Sequence, residues 1–167
     1  MSIEQVPIVS QSYLTFRLDE EIFAASVTKV LEILELSKIT KVPGAPGFMR
    51  GVINLRGNVL PVIDTRLKFG MKKIPDTINT CIVVLSLHAG NETIRIGALV
   101  DAVLEVFEID KTQIQPAPVV GGKYKAEFIT GLFKTERDFI MMLNIDKVLS
   151  GEDISIVYKA SHMPGDQ

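Results

Sequence analysis

Apolar and polar positions alternate from Tyr13 to Leu18, with Leu14, Phe16 and Leu18 on one side and Thr15 and Arg17 on the other. A period of two predicts a strand with one buried face. Asp19-Glu20-Glu21 supplies a polar turn, and Ile22 to Ala25 predicts the returning strand. The pattern then changes: Val27, Val30, Leu31 and Leu34 recur near helical spacing. That spacing predicts about one or two turns of helix, followed by an extended piece from Ile39 to Val42. Pro43-Gly44-Ala45-Pro46-Gly47 interrupts regular structure.

Beyond the break, Val52-Ile53 and Val59 to Ile63 are rich in β-branched residues and flank Asn54-Leu55-Arg56-Gly57-Asn58. Gly57 accepts positive φ without a Cβ penalty and Asn58 tolerates it, so this segment predicts a sharp hairpin with Arg56 at its tip. Asp64 is placed to cap a short helix through Arg66-Leu67-Lys68-Phe69, and Gly70 to end it. Phe48 to Phe69 therefore reads as strand, turn, strand and short helix, with one arginine lifted out of apolar surroundings.

After the polar connection Lys72-Lys73-Ile74-Pro75-Asp76 the plan recurs. Strands over Cys81 to Leu87 and Thr93 to Leu99 repeat the opening hairpin. Val103-Leu104-Glu105-Val106 echoes Val30-Leu31-Glu32-Ile33, and Pro116 echoes Pro43, at one shared offset of 73. Phe128-Ile129-Thr130-Gly131 mirrors Phe48-Met49-Arg50-Gly51 at 80, and Asn144 to Leu149 mirrors Val62 to Leu67 at 82. Each repeat holds about five short strands, enough for a small closed barrel but too few for a large independent core. The expected fold is mostly β: two pseudo-repeated five-stranded barrels packed side by side with short helices. Repeats 13–75 and 76–150 form one domain, between a lead-in over residues 1–12 and a tail over 151–167. In that tail Ile154, Ile156 and Val157 are expected to continue a strand or helix against the second barrel. The second hairpin turn, Phe133 to Asp138, is longer and lacks Leu-Arg-Gly-Asn, so the two tips differ.

Composition narrows the function. The chain has 167 residues, 47% of them hydrophobic, which suits one compact domain. Lys+Arg 18 against Asp+Glu 20 leaves a net charge of -2, with no basic field to attract a phosphate backbone. Cys81 is the single cysteine and sits in an apolar run, as a buried structural thiol in a reducing compartment would. The first residues lack the basic and apolar blocks of a signal peptide, and no apolar run is long enough to span a bilayer. A soluble cytoplasmic protein that does not insert in the membrane is expected. His88 and His162 belong to no ligand or nucleophile pattern, and Gly121-Gly122-Lys123 lacks the rest of a phosphate loop. No enzyme, metal or cofactor is expected, nor a nucleic-acid partner.

The run Gly51-Val52-Ile53-Asn54-Leu55-Arg56-Gly57, followed by Pro61-Val62-Ile63-Asp64 and Arg66, resembles the signature of the CheW-like domain family. Val100-Asp101-Ala102-Val103, Ile114-Gln115-Pro116-Ala117-Pro118 and Leu143-Asn144-Ile145-Asp146 extend the resemblance over Tyr13 to Leu149. Members are adaptors of bacterial chemotaxis that join chemoreceptors to the histidine kinase CheA. The resemblance implies SH3-like barrels and a stand-alone adaptor at membrane-bound receptor arrays. It also implies that Val30, Glu32, Arg56 and Gly57 meet the receptor's helical-hairpin tip, near a groove between the barrels. Gln115, Val119 and Val120 then fall in a loop that contacts the kinase regulatory domain or builds the array. Thr65 stands where a leucine commonly follows the family's aspartate. The competing reading is a small-ligand-binding double β-barrel.

Overall fold

The computed structural model describes residues 10–117 and 127–162. Strands β1 (Ser10–Leu18) and β2 (Glu21–Ser26) form the opening hairpin, and β3 (Val30–Glu35) follows a 3-10 turn over Val27–Lys29. Strands β4 (Met49–Leu55) and β5 (Asn58–Asp64) form the second hairpin and lead into helix α1 (Thr65–Lys68). The plan restarts with β6 (Cys81–Ala89), β7 (Glu92–Val100) and β8 (Ala102–Asp110). Then come the two-residue β9 (Ile114–Gln115), β10 (Ile129–Lys134), β11 (Phe139–Leu143) and helix α2 (Gly151–Ser161).

The strands make two curled sheets, ordered β8-β1-β2-β11-β10-β9 and β3-β6-β7-β5-β4. Matching β1 to β5 with β6, β7, β8, β10 and β11 turns one order into the other, so the sequence repeat is a structural pseudo-twofold. The repeats do not each close their own barrel, however. The opening hairpin of each repeat leaves for the sheet built from the rest of the other, and the parallel pairs β2·β11 and β5·β7 join the two parts. The short β9, paired to β10, raises one sheet to six strands; its counterpart is a single bridge from Thr40 to Val52.

Exchange follows from where apolar surface lies. Ile53, Leu60, Val62, Ile82, Val84 and Leu99 fill the five-stranded sheet, and Tyr13, Ala24, Ile109, Ile140 and Met142 the six-stranded one. The largest cluster, including Phe16, Phe23, Ile63, Leu85 and Leu143, takes side chains from both sheets. Phe16, Phe23, Phe69 and Phe128 follow one another across it, stacked in the first and last pairs and tilted between Phe23 and Phe69, the last pair with ring centroids 4.3 Å apart. Each such buried side chain stabilises by about 1.5–3 kcal/mol, which explains why neither sheet stands alone.

Several elements differ from the sequence expectation. Val30 to Glu35 is a strand, not helix; only Val27–Lys29 takes a helical turn, capped by Ser26. As an edge strand β3 leaves Leu31 and Ile33 about half exposed, so both of its faces carry apolar residues and the alternation vanishes. Ser10 to Ser12, expected in the lead-in, pair with Asp110, Ile109 and Glu108 as the start of β1. Helix α2 packs on β5 of the five-stranded sheet, a strand of the first repeat, and Ile154 and Val157 line a cavity that β5 and β7 share with it.

The second half of the repeat also keeps a constant offset. Asp64 N–H donates to the carbonyl of Phe48 and Asn144 N–H to that of Phe128, both at 2.7 Å. The counterpart of Asp64 is thus Asn144, at 80, and Asp146 is the counterpart of Arg66. Asp64 and Asn144 perform the same task, accepting from the Leu67 and Asp146 amides to cap the turns that follow.

Candidate functional site

The first hairpin tip is a two-residue turn in which Arg56 has φ 52° and Gly57 φ 85°. Positive φ at both central positions defines the type I′ turn that suits the twist of a hairpin. The positive pair is therefore Arg56 and Gly57, not Gly57 and Asn58; Asn58 opens β5 opposite Leu55. Asn54 stabilises the reversal by accepting from the Gly57 amide at 2.7 Å. A Cβ on Gly57 would meet nothing within 4 Å, so the glycine answers to backbone conformation and not to crowding. For arginine the left-handed region is unfavourable, and such backbone is kept where surrounding structure or function demands it.

Arg56 reaches from this turn to β3. Its Nη1 and Nη2 donate to the two carboxylate oxygens of Glu32 at 2.8 and 2.7 Å. This bidentate fork holds the Glu32 carboxyl below the usual carboxylate range, first through the hydrogen bond and then through the charges of Arg56 and Arg95. Val30 lies two residues before Glu32 on β3, across a shift in its register with β6, and packs partly buried against the shared core. The fold thus brings Val30, Glu32, Arg56 and Gly57 to one end of the five-stranded sheet. It also changes their chemistry: the arginine fork is closed on Glu32, so the tip presents a neutral pair and not a free guanidinium. Arg95, on β7, was absent from the sequence expectation; its signal, a lone arginine between Ile94 and Ile96, is common to any half-exposed strand.

Gln115 is exposed on β9 at the edge of the six-stranded sheet, apart from the hairpin tip. Val119 and Val120 lie outside the described residues, as does Gly121-Gly122-Lys123. Among the described residues no cluster of three His, Cys, Asp or Glu could hold a metal ion, and no helix is long and apolar enough to cross a membrane. Burial pushes the Cys81 thiol up, which disfavours the reactive thiolate.

At the end of β5 opposite the hairpin tip lies a buried charge cluster. Arg66, on α1, is fully buried; its Nη1 meets Asp101 Oδ1 at 2.9 Å and donates to the Ile74 carbonyl at 2.8 Å. Its Nε faces Asp64 at 3.4 Å. Asp101 sits where the chain passes from β7 to β8 and also accepts from the Asp19 amide. The pseudo-twofold counterpart joins Lys29 to Asp146 at 2.9 Å, with His88 N–H donating to the same carboxylate. Here burial raises the Asp146 carboxyl, but the His88 amide and Lys29 outweigh it and its pKa lies below the ordinary range.

A duplicated pair of curled sheets with an ion-paired, positive-φ hairpin tip defines a double-barrel β protein. The family profile of the CheW-like domain matches residues 12–153, and the chain belongs to that family. It is 34% identical over 149 residues to the chemotaxis protein CheW of Klebsiella aerogenes, covering 89% of this chain and 87% of that one. Against the chemotaxis protein CheW of Thermotoga maritima it is 34% identical over 146 residues, with 86% and 89% covered. The crystal structure of the scaffolding protein TtCheW from Thermoanaerobacter tengcongensis superposes with a TM-score of 0.75 at 31% identity, covering 86% of this chain and 96% of that one.

Proposed function

We propose that this chain is a non-enzymatic chemotaxis adaptor that couples chemoreceptor signalling tips to the histidine kinase CheA and supports array assembly in the cytoplasm. The observation that carries the reading is the strained hairpin tip, which clamps Arg56 on Glu32 beside Val30 and Gly57 in a chain of the CheW-like family. A rigid pair of this kind offers donors and acceptors in set geometry to a helical partner, while Val30 and the exposed Leu31 and Ile33 supply apolar contact. Val30, Glu32, Arg56 and Gly57 form the receptor side; Gln115, on β9 of the other sheet, serves the kinase side together with Val119 and Val120.

The test is a pull-down with purified CheA and a receptor signalling-tip fragment, using wild type and Arg56→Ala, with circular dichroism to establish folding. Wild type bridges the two partners, and the folded variant keeps CheA but loses receptor. Failure of wild type to bind either, where a relative binds both, overturns the reading.

The small-ligand alternative has less support: both barrel interiors are filled by their own side chains, as barrels of this size usually are.

A further inference from the structure

Between α2 and strands β5 and β7 lies an open cavity of about 200 Å³, which none of Val30, Glu32, Arg56 and Gly57 lines. Its walls are mostly apolar, with Val59, Ile94, Ile154 and Val157 among them, while Asn58, Arg95, Tyr158, Ser161 and His162 add polar groups at its lining. Val59 and Tyr158 are about half exposed, so the apolar surface continues beyond the cavity.

Charge at this end of the molecule is unbalanced. Glu32 is taken up by Arg56 in a bidentate pair. Arg95 is exposed and forms no ion pair among the described residues, but its charge too is felt by Glu32, so two cations face one carboxylate. One positive charge is therefore left over beside an apolar socket with room for roughly one large side chain. An isolated arginine in a chain of net charge -2 does not make a nucleic-acid or membrane surface, because those need several cations in register.

We propose that this cavity receives a leucine- or phenylalanine-sized side chain from an acidic segment of a partner protein, with a neighbouring carboxylate of that segment paired to Arg95. The apolar wall selects the anchor, and the exposed Arg95 guanidinium selects its flanking charge. This contact is separate from the adaptor reading and is tested without receptor or kinase, so either can fail alone.

The experiment titrates the full isotope-labelled chain with two capped dodecapeptides, each with a Leu-Leu centre, one flanked by glutamates and the other by lysines. Amide resonances of Val59, Ile94 and Val157 are followed. The glutamate peptide shifts them saturably and the lysine peptide does not. Arg95→Glu weakens the glutamate peptide roughly fivefold or more and admits the lysine peptide, while Arg95→Gln falls between. Dispersed spectra of both variants establish that these exposed substitutions leave the fold intact. Equal response to both peptides, response to neither, or shifts that grow with protein concentration alone would each overturn the proposal, the last by identifying a second copy of this chain as the occupant.

Discussion

The guanidinium of Arg66 lies 2.9 Å from the carboxylate of Asp101, and the two side chains are only 0% and 5% exposed. The pair ties α1 to the point where the chain crosses from one sheet to the other. Lys29 and Asp146 do the same at the other crossover, at 22% and 31% exposure and with the signs of the charges reversed. Duplication has thus kept two struts in equivalent places while changing which side carries the cation. Breaking a buried pair leaves an uncompensated charge and costs about 3–5 kcal/mol, several times the worth of an exposed one. Arg66→Ala is therefore expected to lose about 3–5 kcal/mol of unfolding free energy in urea titration. A loss below about 1 kcal/mol would mean that the cluster relaxes around the gap.

Acid should weaken the second strut. Asp146 has a folded pKa below its ordinary value, as has Asp153, where Lys68 and Ser150 outweigh the effect of burial. A depressed carboxylate contributes stability that is fully present above the unfolded pKa, about 4, and is lost as pH falls through the folded value. Melting temperature is expected to vary little from about pH 5 to 8 on this account and to drop below about pH 4. Asp146→Asn should flatten part of that drop. Thermal melts across pH on both proteins check it.

Two glycines are predicted to resist substitution for one shared reason. A Cβ on Gly51 would lie 2.2 Å from the Thr40 carbonyl oxygen, at φ 149°; one on Gly131 would lie 2.5 Å from Ile114 Cγ2 and 2.6 Å from the Gln115 oxygen. Both sit at the bulge of a second hairpin, where another backbone presses close. Gly51→Ala and Gly131→Ala should each cost about 1–3 kcal/mol or more, read from denaturation midpoints. Gly57→Ala, with open space around its Cβ, should be milder.

At the hairpin tip, Glu32 and Arg56 should act as one unit. Arg56→Ala is expected to change melting temperature little, because the pair is exposed, yet to weaken binding of a receptor-tip fragment. Glu32→Ala should also weaken that binding by releasing the guanidinium from its set position. The double variant should bind no worse than Arg56→Ala, since residues sharing one interaction are not additive. Additive losses in the double-mutant cycle would show that the two side chains contact the partner separately.

How far the sequence announces all this depends on the residue. Leu14, Phe16 and Leu18 alternate and face the shared core, so the strand follows from period alone, but its second face is buried too, with Tyr13 in the six-stranded sheet's own core and Thr15 fully covered, which the period of two did not announce. Val30 to Leu34 misleads because an edge strand need not hide both faces, and its apolar residues then mimic helical spacing. At the tip, Gly57 declares the turn, but nothing local declares that Arg56 adopts positive φ or that Glu32, 24 residues away, closes its fork. Arg66 looks like any arginine on a short helix. Only the folded chain places Asp101 beside it, and that placement depends on a crossover no local pattern encodes. The repeat itself was legible, since its offsets survive in the residues, whereas the traffic of strands between sheets leaves no trace in composition or period.

That traffic has a consequence for how the chain is born. When the first repeat has emerged from the ribosome, it holds β1 and β2, which belong to one sheet, and β3 to β5, which belong to the other. Neither set is complete, and their open edges and apolar faces must wait for partners made later. The two parallel pairings, β2 with β11 and β5 with β7, close only after long stretches of intervening chain have been synthesised. The nascent chain thus carries open edges halfway through translation, and its two sheets are completed in turn: the five-stranded one once β7 is made, the six-stranded one only when β10 and β11 follow.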